Sequence, residues 1–257
     1  MHEVNYLPDP RGDCLIPAGE DFAVCAVSPG QTDTMTSLGL TTGLTAFWKM
    51  DEASGERADS SGNGYNLTEA AEGVGGVAGK LNNAASLIGS VDSFLYSDNS
   101  VFSTSGGTIT VSCWVKFNAV DADMSIIGKH TGGGLPDGYK LFFSSLDNAF
   151  VFTQGDSGSA AADQLVHSGA VVDGVWYHIT CGFDGSNHFM SINGGVRELD
   201  GGLEASNAVG DFMVGLDNEG LAALDGLIDE VGIWMGTVLT DEQITALYNG
   251  GTPLPFN

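Results

Sequence analysis

Apolar and polar residues alternate along much of the chain with the two-residue period of a β-strand. Residues 108–117 alternate strictly, and the apolar side chains of one face are those of Ile109, Val111, Cys113 and Val115. Further runs rich in strand formers lie at 44–50, 139–145, 148–154, 175–183, 187–192, 211–216 and 224–235. Two runs end in the hairpin signals Asp184-Gly185 and Asn193-Gly194. Short strands recurring between turn signals predict an all-β sandwich.

One helix is predicted after the last strand. Thr240 and Gln243 have the spacing of a capping box, with Thr at the N-cap and Gln three positions later. Ile244, Leu247 and Tyr248 then form an apolar stripe, and an Asn-Gly-Gly sequence ends it.

Residues 1–42 have a different character. Prolines punctuate the segment, its one apolar run covers residues 18–27, and the polar, turn-rich stretch 28–43 is typical of a linker. We therefore expect an N-terminal arm and linker over residues 1–42, and one domain over residues 43–257.

The charge balance is strongly acidic. Asp and Glu total 33 against 8 Lys and Arg, a net charge of −25. Phosphate recognition needs clustered basic residues, so no nucleic-acid partner is expected, and an anionic membrane surface is disfavoured for the same reason. No apolar run is long enough for a membrane span. The first residues also lack the basic and apolar regions of a secretory signal.

The four cysteines do not have the spacing of a zinc site. Cys113 and Cys181 fall in predicted strands at core-facing positions, where we expect small buried hydrophobes. Cys14 and Cys25 could close a short loop in the arm, and the sequence leaves both that pairing and the redox compartment open.

Four pieces of the chain, taken in order, resemble one family. They are GLTAFWKMDEASGERADSSGNGYNLT, TITVSCWVKF, GVWYHITCGFDGSNHFMSING and LDGLIDEVGIWMGTVLTDEQITALYNGG. Together they resemble the laminin-G-like, concanavalin A-like lectin/glucanase superfamily, in the form found in bacterial surface proteins and phage structural proteins. The resemblance runs from Leu44 to Gly251. It implies a two-sheet antiparallel jelly-roll sandwich with one short C-terminal helix, preceded by an extended N-terminal arm.

The resemblance also implies a structural Ca²⁺ ion between the first acidic loop and the closing strand. The residues expected to bind it are Asp51, Asp59, Asn63 and Asp229. Calcium prefers oxygen ligands from carboxylates and amides, which these residues supply. The alternative is that the Asp-Ser-Ser-Gly-Asn-Gly loop is an ordinary turn held by an Asx hydrogen bond.

Carbohydrate is the ligand class that a lectin-like sandwich suggests. Three glycine-rich loops, 128–140, 153–164 and 217–226, could line one rim of the sandwich. Their candidate ligand residues are His130, Asp137, Tyr139, Asp156 and Asp217. The alternative is that these loops are plain surface connections.

No catalytic function is expected. Related glucanases carry a Glu-x-Asp-x-Glu type array on one strand, which this chain lacks. Asp229 and Glu230 are adjacent, so a regular strand would point them to opposite faces. His178 is expected to be structural, since no serine or cysteine nucleophile is seen to accompany it.

Two functions remain open. The first is a structural component of a virion or surface assembly, docked on protein subunits through residues 1–42. The second is a carbohydrate-binding adhesion module of a bacterial surface or secreted protein. Both imply a virion or extracellular surface location.

Overall fold

A computed structural model describes residues 6–8, 15–17, 33–70, 74–90, 95–104, 107–131, 137–155, 163–202 and 210–256, the first two ranges as backbone only. The strands are β1 Tyr6–Pro8, β2 Leu15–Pro17, β3 Ala46–Trp48, β4 Thr68–Glu69, β5 Gly75–Ala78, β6 Asn83–Ile88, β7 Leu95–Ser97, β8 Ile109–Phe117, β9 Met124–His130, β10 Gly138–Ser144, β11 Ala149–Gly155, β12 Asp163–Val166, β13 Tyr177–Phe183, β14 Asn187–Ile192, β15 Glu198–Gly201, β16 Phe212–Val214 and β17 Asp225–Met235. The α-helix is α1 Asp241–Tyr248, and short 3₁₀ turns lie at Ser100–Phe102 and Asn249–Gly251. In the described ranges no helix has the length and apolarity needed to cross a membrane.

Two antiparallel sheets form the sandwich. The smaller sheet has seven strands in the order β12-β11-β10-β9-β16-β7-β4. The larger has eight strands, in the order β15-β14-β13-β8-β17-β6-β5 with β3 also paired to β17. The predicted all-β sandwich with one short helix is confirmed.

The main core lies between the sheets. The four residues predicted to face inward from β8 all belong to it, and so do Leu141 and Phe143 from β10 of the other sheet. Cys113 and Cys181 are buried free thiols, as predicted, and burial raises the pKa of both. Burying one large aliphatic or aromatic side chain contributes about 1.5–3 kcal/mol, so this core is the main source of stability.

The predicted hairpin at Asn193-Gly194 forms between β14 and β15. Both residues have left-handed backbone angles, φ 53° and 65°, the geometry that Asn-Gly favours in a two-residue turn. A Cβ atom on Gly194 would lie 2.8 Å from the Cβ of Tyr248, so this glycine also lets α1 approach the turn.

A second apolar cluster covers the outward face of the larger sheet. It joins Met35, Leu40 and Leu44 to Phe47, Phe189 and Trp234 of the sheet, and to residues of α1 and the segment after it. The Met35 N–H donates to the Pro255 carbonyl at 3.3 Å, and the Trp234 indole N–H donates to the Leu40 carbonyl at 3.0 Å. Residues 33–42 were predicted as linker, but these contacts make them part of the sandwich. Met35 and Leu40 supply the buried apolar side chains of this otherwise polar stretch.

Within the described part of the chain, the strands β1 and β2 form a sheet of their own, with Leu7 opposite Ile16. The remainder of residues 1–32, including Cys14 and Cys25, lies outside the described residues. Asp156, a candidate ligand residue, also lies outside them.

Candidate ligand-binding site

The outward face of the seven-stranded sheet carries a row of mixed side chains. Cross-strand neighbours in this row are Thr68, Tyr96, Met213, Gly128, Lys140, Thr153 and Gln164. Phe142 lies on the same face two residues along β10. These residues are outside both apolar clusters, and α1 packs on the other sheet. We call Tyr96, Lys140, Phe142 and Met213, with Asp217 from the β16–β17 connection, the candidate face.

Lys140 and Asp217 form an ion pair on the candidate face. The Lys140 Nζ atom lies 3.2 Å from Asp217 Oδ2 and 5.1 Å from the centre of the Phe142 ring. Asp217 Oδ1 accepts hydrogen bonds from the backbone N–H groups of Leu221 and Ala222, at 2.8 and 3.3 Å. Burial alone would raise the pKa of Asp217, but these hydrogen bonds and Lys140 hold it below its ordinary value. The result is a fixed carboxylate and ammonium beside an aromatic ring.

His130 lies at the end of β9, in a strand and not in the loop predicted for it. Its Nδ1 contacts the Thr131 carbonyl at 3.2 Å, and its Nε2 is buried without a hydrogen-bond partner. Burial lowers the pKa of His130, so the ring is neutral at pH 7. The Asp137 N–H donates to the Thr131 hydroxyl at 3.1 Å, which ties Asp137 to the same end of the sheet. The structure thus brings His130, Asp137 and Asp217 to one side of the sandwich.

Tyr139 points into the sandwich, not to its surface. It is 1% exposed and belongs to the main core, and its hydroxyl has no hydrogen-bond partner among the residues that the structure describes. Its cross-strand neighbours are Lys129 on β9 and Gln154 on β11. Gln154 Oε1 lies 3.1 Å from Nε2 of His188 on the opposite sheet. Sequence patterning did not single out Lys129, Gln154 or His188, because polar residues at inward strand positions contradict the expected alternation.

Two of the four expected calcium ligands hold the first acidic loop together. Asp59 Oδ1 accepts from the N–H groups of Phe47 and Ser61, and Asp59 Oδ2 accepts from the Ser61 hydroxyl and the Tyr65 N–H, all within 3.0 Å. The Asn63 amide donates to the Thr45 carbonyl at 2.9 Å. This is the arrangement of an Asx turn fastened to β3.

The other two expected ligands lie at the β5–β6 turn. Asp229 Oδ2 accepts from the N–H groups of Lys80 and Leu81, at 2.8 and 3.0 Å. Asp51 Oδ1 accepts from the Asn83 N–H at 3.0 Å. Among the described residues no three His, Cys, Asp or Glu side chains are grouped as a metal ion needs. The four residues are thus not gathered into such a group, and calcium binding stays a prediction.

Comparison with known proteins decides the family. A family model described as the concanavalin A-like lectin/glucanases superfamily matches residues 89–245, more than half of the chain. The chain belongs to this superfamily. The resemblance seen in the sequence is confirmed. No protein of curated function matches this superfamily member significantly in sequence.

Solved structures share the fold of this superfamily member at low sequence identity. The binding domain of Paraclostridial Mosquitocidal Protein 1 superimposes with a TM-score of 0.66 and 17% identity, over 82% of this chain and 52% of that one. Domain 4 of AbnA, an extracellular arabinanase from Geobacillus stearothermophilus solved with arabinotriose, has a TM-score of 0.62 and 22% identity, over 80% of this chain and 98% of that one. The ligand-binding domain of botulinum neurotoxin serotype D, solved with N-acetylneuraminic acid, has a TM-score of 0.61 and 18% identity, over 83% and 55%. The chain thus spans about half the length of these two toxin domains.

The outward face of the larger sheet holds a small cavity with polar groups in it. Ser112 Oγ lies 3.0 Å from His178 Nε2, a single serine contact that the sequence expectation missed. Strand pairing explains the error, because Ser112 and His178 belong to neighbouring strands 66 residues apart in the chain. The two residues are 3% and 2% exposed, and Leu247 and Leu254 line the cavity above them.

Glu230 lines the same cavity as Trp114, which is the strand partner of Asp229. The expectation that Asp229 and Glu230 point to opposite faces is therefore wrong. The register between β17 and β8 shifts after Asp229, and Glu230 has a left-handed backbone with φ 48°. A bulge of this kind re-aims a side chain within a strand.

Proposed function

We propose that this protein is a non-catalytic interaction protein whose sandwich binds an uncharged oligosaccharide on the candidate face. The observation that carries the proposal is the Lys140–Asp217 ion pair beside Phe142, on the sheet opposite to the one that α1 covers. Ligand sites commonly combine apolar or aromatic contact area with a few fixed polar groups.

The groups of the candidate face suit a sugar ring. The Phe142 ring offers an apolar surface to sugar C–H groups. Lys140 can donate hydrogen bonds to hydroxyl oxygens, while Asp217 can accept from hydroxyl groups. Since Asp217 already balances the charge of Lys140 and the chain carries a net charge of −25, an uncharged sugar is favoured over an acidic one.

Family membership and fold support a binding role without specifying the ligand. Domain 4 of AbnA was solved in complex with arabinotriose, and the serotype D domain in complex with N-acetylneuraminic acid. Both likenesses are below 25% identity, so the sugar bound here has to be measured.

The test is isothermal titration with arabinotriose and a panel of uncharged and sialylated oligosaccharides. We expect binding of an uncharged member, weakened about tenfold or more by Phe142→Ala or Lys140→Ala. Lys116→Ala is the matched control, because Lys116 Nζ lies 5.3 Å from the centre of the Trp176 ring on the other sheet. Absence of binding by every uncharged sugar, or equal losses in Lys116→Ala, would reject the proposal.

We also propose that residues 1–32 anchor the sandwich to protein subunits of a virion or surface assembly. The observation behind this is that, among the strands the structure describes, β1 and β2 form a separate two-stranded sheet. A two-stranded hairpin alone is marginally stable, so a partner surface would stabilise it.

Truncation tests the anchoring role. Deleting residues 1–32 leaves Met35 and Leu40 in their apolar cluster, whereas deleting residues 1–42 would remove them. We expect the shorter deletion to keep the melting temperature of the sandwich and to abolish incorporation into the assembly. Undiminished incorporation of the truncated protein would refute the anchor.

A further inference from the structure

The described residues include buried polar atoms without a hydrogen-bond partner, and some of these lie together at one end of the sandwich interior. Folded proteins leave few such atoms, because each costs the desolvation of a donor or acceptor. Three of them, Tyr139 Oη, Gln154 Nε2 and His188 Nδ1, belong to residues that are 1%, 1% and 0% exposed. Tyr139 and Gln154 are direct cross-strand neighbours, and Gln154 is hydrogen-bonded to His188.

These residues form the last inward-facing row before the strands end. On the smaller sheet the row is Phe212, Lys129, Tyr139 and Gln154. Beyond it β9 ends at His130 and β11 ends at Gly155. On the larger sheet His188 is the second residue of β14. We call Lys129, Tyr139, Gln154 and His188 the end chamber.

The hydrogen-bonding capacity of the end chamber is defined by these contacts. Because the Gln154 Oε1 atom can only accept, His188 Nε2 carries the proton and His188 Nδ1 is an acceptor without a donor. The Gln154 amide and the Tyr139 hydroxyl have unused N–H and O–H donors. The Lys129 ammonium donates to the Gly210 carbonyl and, within the described residues, forms no ion pair that would use its other protons.

The orientation of the His188 ring is fixed before any ligand arrives. The His188 ring lies between Phe152 and Phe183, edge to face, with ring centres 5.6 and 5.7 Å away. A Cβ atom on Gly202 would lie 2.9 Å from the His188 ring, so glycine is needed at that position. Fixed polar groups reduce the entropy lost on binding.

We propose that the end chamber is a subsite for a hydroxyl-bearing, uncharged group, and that a terminal sugar residue supplies it. A hydroxyl accepts from Gln154, Tyr139 or Lys129 and donates to His188 Nδ1, whereas a carboxylate cannot donate. Asp98 and Asp211 near Lys129, and Asp163, Asp184 and Asp200 near His188, also disfavour an anion. The choice of a sugar rests on the proposed function; the hydroxyl requirement does not.

Tyr139→Phe gives opposite effects on stability and binding if the proposal holds. Removing an unpartnered buried hydroxyl should raise the melting temperature of the free protein, by about 2–4 °C. The same variant should weaken binding of an uncharged oligosaccharide about tenfold, and Gln154→Leu should do likewise. Tyr177→Phe is the matched control, because the Tyr177 hydroxyl already accepts from the Val172 N–H at 2.9 Å; it should not stabilise the protein or change binding.

The outcomes separate this proposal from the candidate face. Binding that depends on Phe142 and is unchanged in Tyr139→Phe would overturn the end chamber alone. Binding lost in Tyr139→Phe and kept in Phe142→Ala would support the chamber and reject the face. If no uncharged sugar binds, or if Tyr139→Phe lowers the melting temperature as loss of a water-bonded hydroxyl would, the chamber is rejected.

Discussion

At the scale of single residues, two buried carboxyl groups make stability depend on pH. Burial, with Asp229 and Asp51 nearby, raises the pKa of Glu230 from 4.5 to about 9. Burial likewise raises the pKa of Asp229 from 3.8 to about 7. Both groups hold their protons more tightly in the folded chain than in the unfolded chain. The stability they contribute is therefore present at low pH and lost as pH rises towards about 9.

Glu230→Gln should remove the larger part of this dependence. The uncharged amide fits the same volume and has no charge to bury. We expect the variant to melt at least about 2 °C higher than the native protein at pH 8, and to show a flatter profile between pH 5 and 9 in calorimetry. Asp121→Asn, on the surface, is the control and should leave the profile unchanged. Parallel profiles for native protein and Glu230→Gln would contradict the assignment.

Asp59 holds the first acidic loop together by accepting hydrogen bonds from it and from β3. Asp59→Ala leaves the N–H groups of Phe47 and Tyr65 without their acceptor, so we expect a loss of about 1–3 kcal/mol in the free energy of unfolding. Urea unfolding in the presence of EDTA, and separately in the presence of Ca²⁺, measures this loss in the free energy of unfolding. An equal loss in both conditions is expected for a turn; a larger loss in Ca²⁺ would show a metal ligand.

At the scale of elements, the N-terminus of α1 is capped as its sequence predicts. The Thr240 hydroxyl accepts from the Gln243 N–H, and the Gln243 side chain accepts from the Thr240 N–H at 2.9 Å. Ile244 and Leu247 then pack in the cluster over the larger sheet. Leu247 of the same helix also lines the Ser112–His178 cavity.

Thr240→Ala should destabilise the protein by about 1 kcal/mol, the usual loss for an N-cap residue. Denaturant unfolding followed by tryptophan fluorescence measures the change, since Trp234 lies beneath the helix. Thr240→Ser retains the hydroxyl and should unfold like the native protein. A loss of the same size in Thr240→Ser would mean that the cap hydrogen bond is not its cause.

The elements also show where sequence patterning stops. The alternation in β8 and the Asn193-Gly194 turn were predictable because burial and turn geometry select residue types locally. The bulge at Glu230 was not, because a left-handed glutamate has no local signal of the kind that glycine or asparagine gives. Lys129 and Gln154 were missed because only strand pairing shows that they share an inward row with Tyr139. Fold class followed from local pattern, whereas the candidate site depends on pairing between distant strands.

At the scale of the whole molecule, the net charge of −25 opposes the compact state. Salt screens repulsion between surface carboxylates, with a Debye length of about 8 Å at physiological ionic strength. We expect the melting temperature to rise with NaCl and to rise equally with tetramethylammonium chloride. A rise with sodium alone would point to specific cation binding instead.

The contact between Met35 and Pro255 brings the two ends of the described sandwich to one point on its surface. If the domain were inserted into another polypeptide, the two connections to that host chain would therefore lie close together. The sandwich therefore has the geometry of a domain that can be inserted into another chain. It could also be circularly permuted: a short peptide would join residue 256 to residue 33, and new termini would be placed in an exposed turn such as 145–148. Selection or design could in this way move the sandwich between proteins while its strand pairing stays intact.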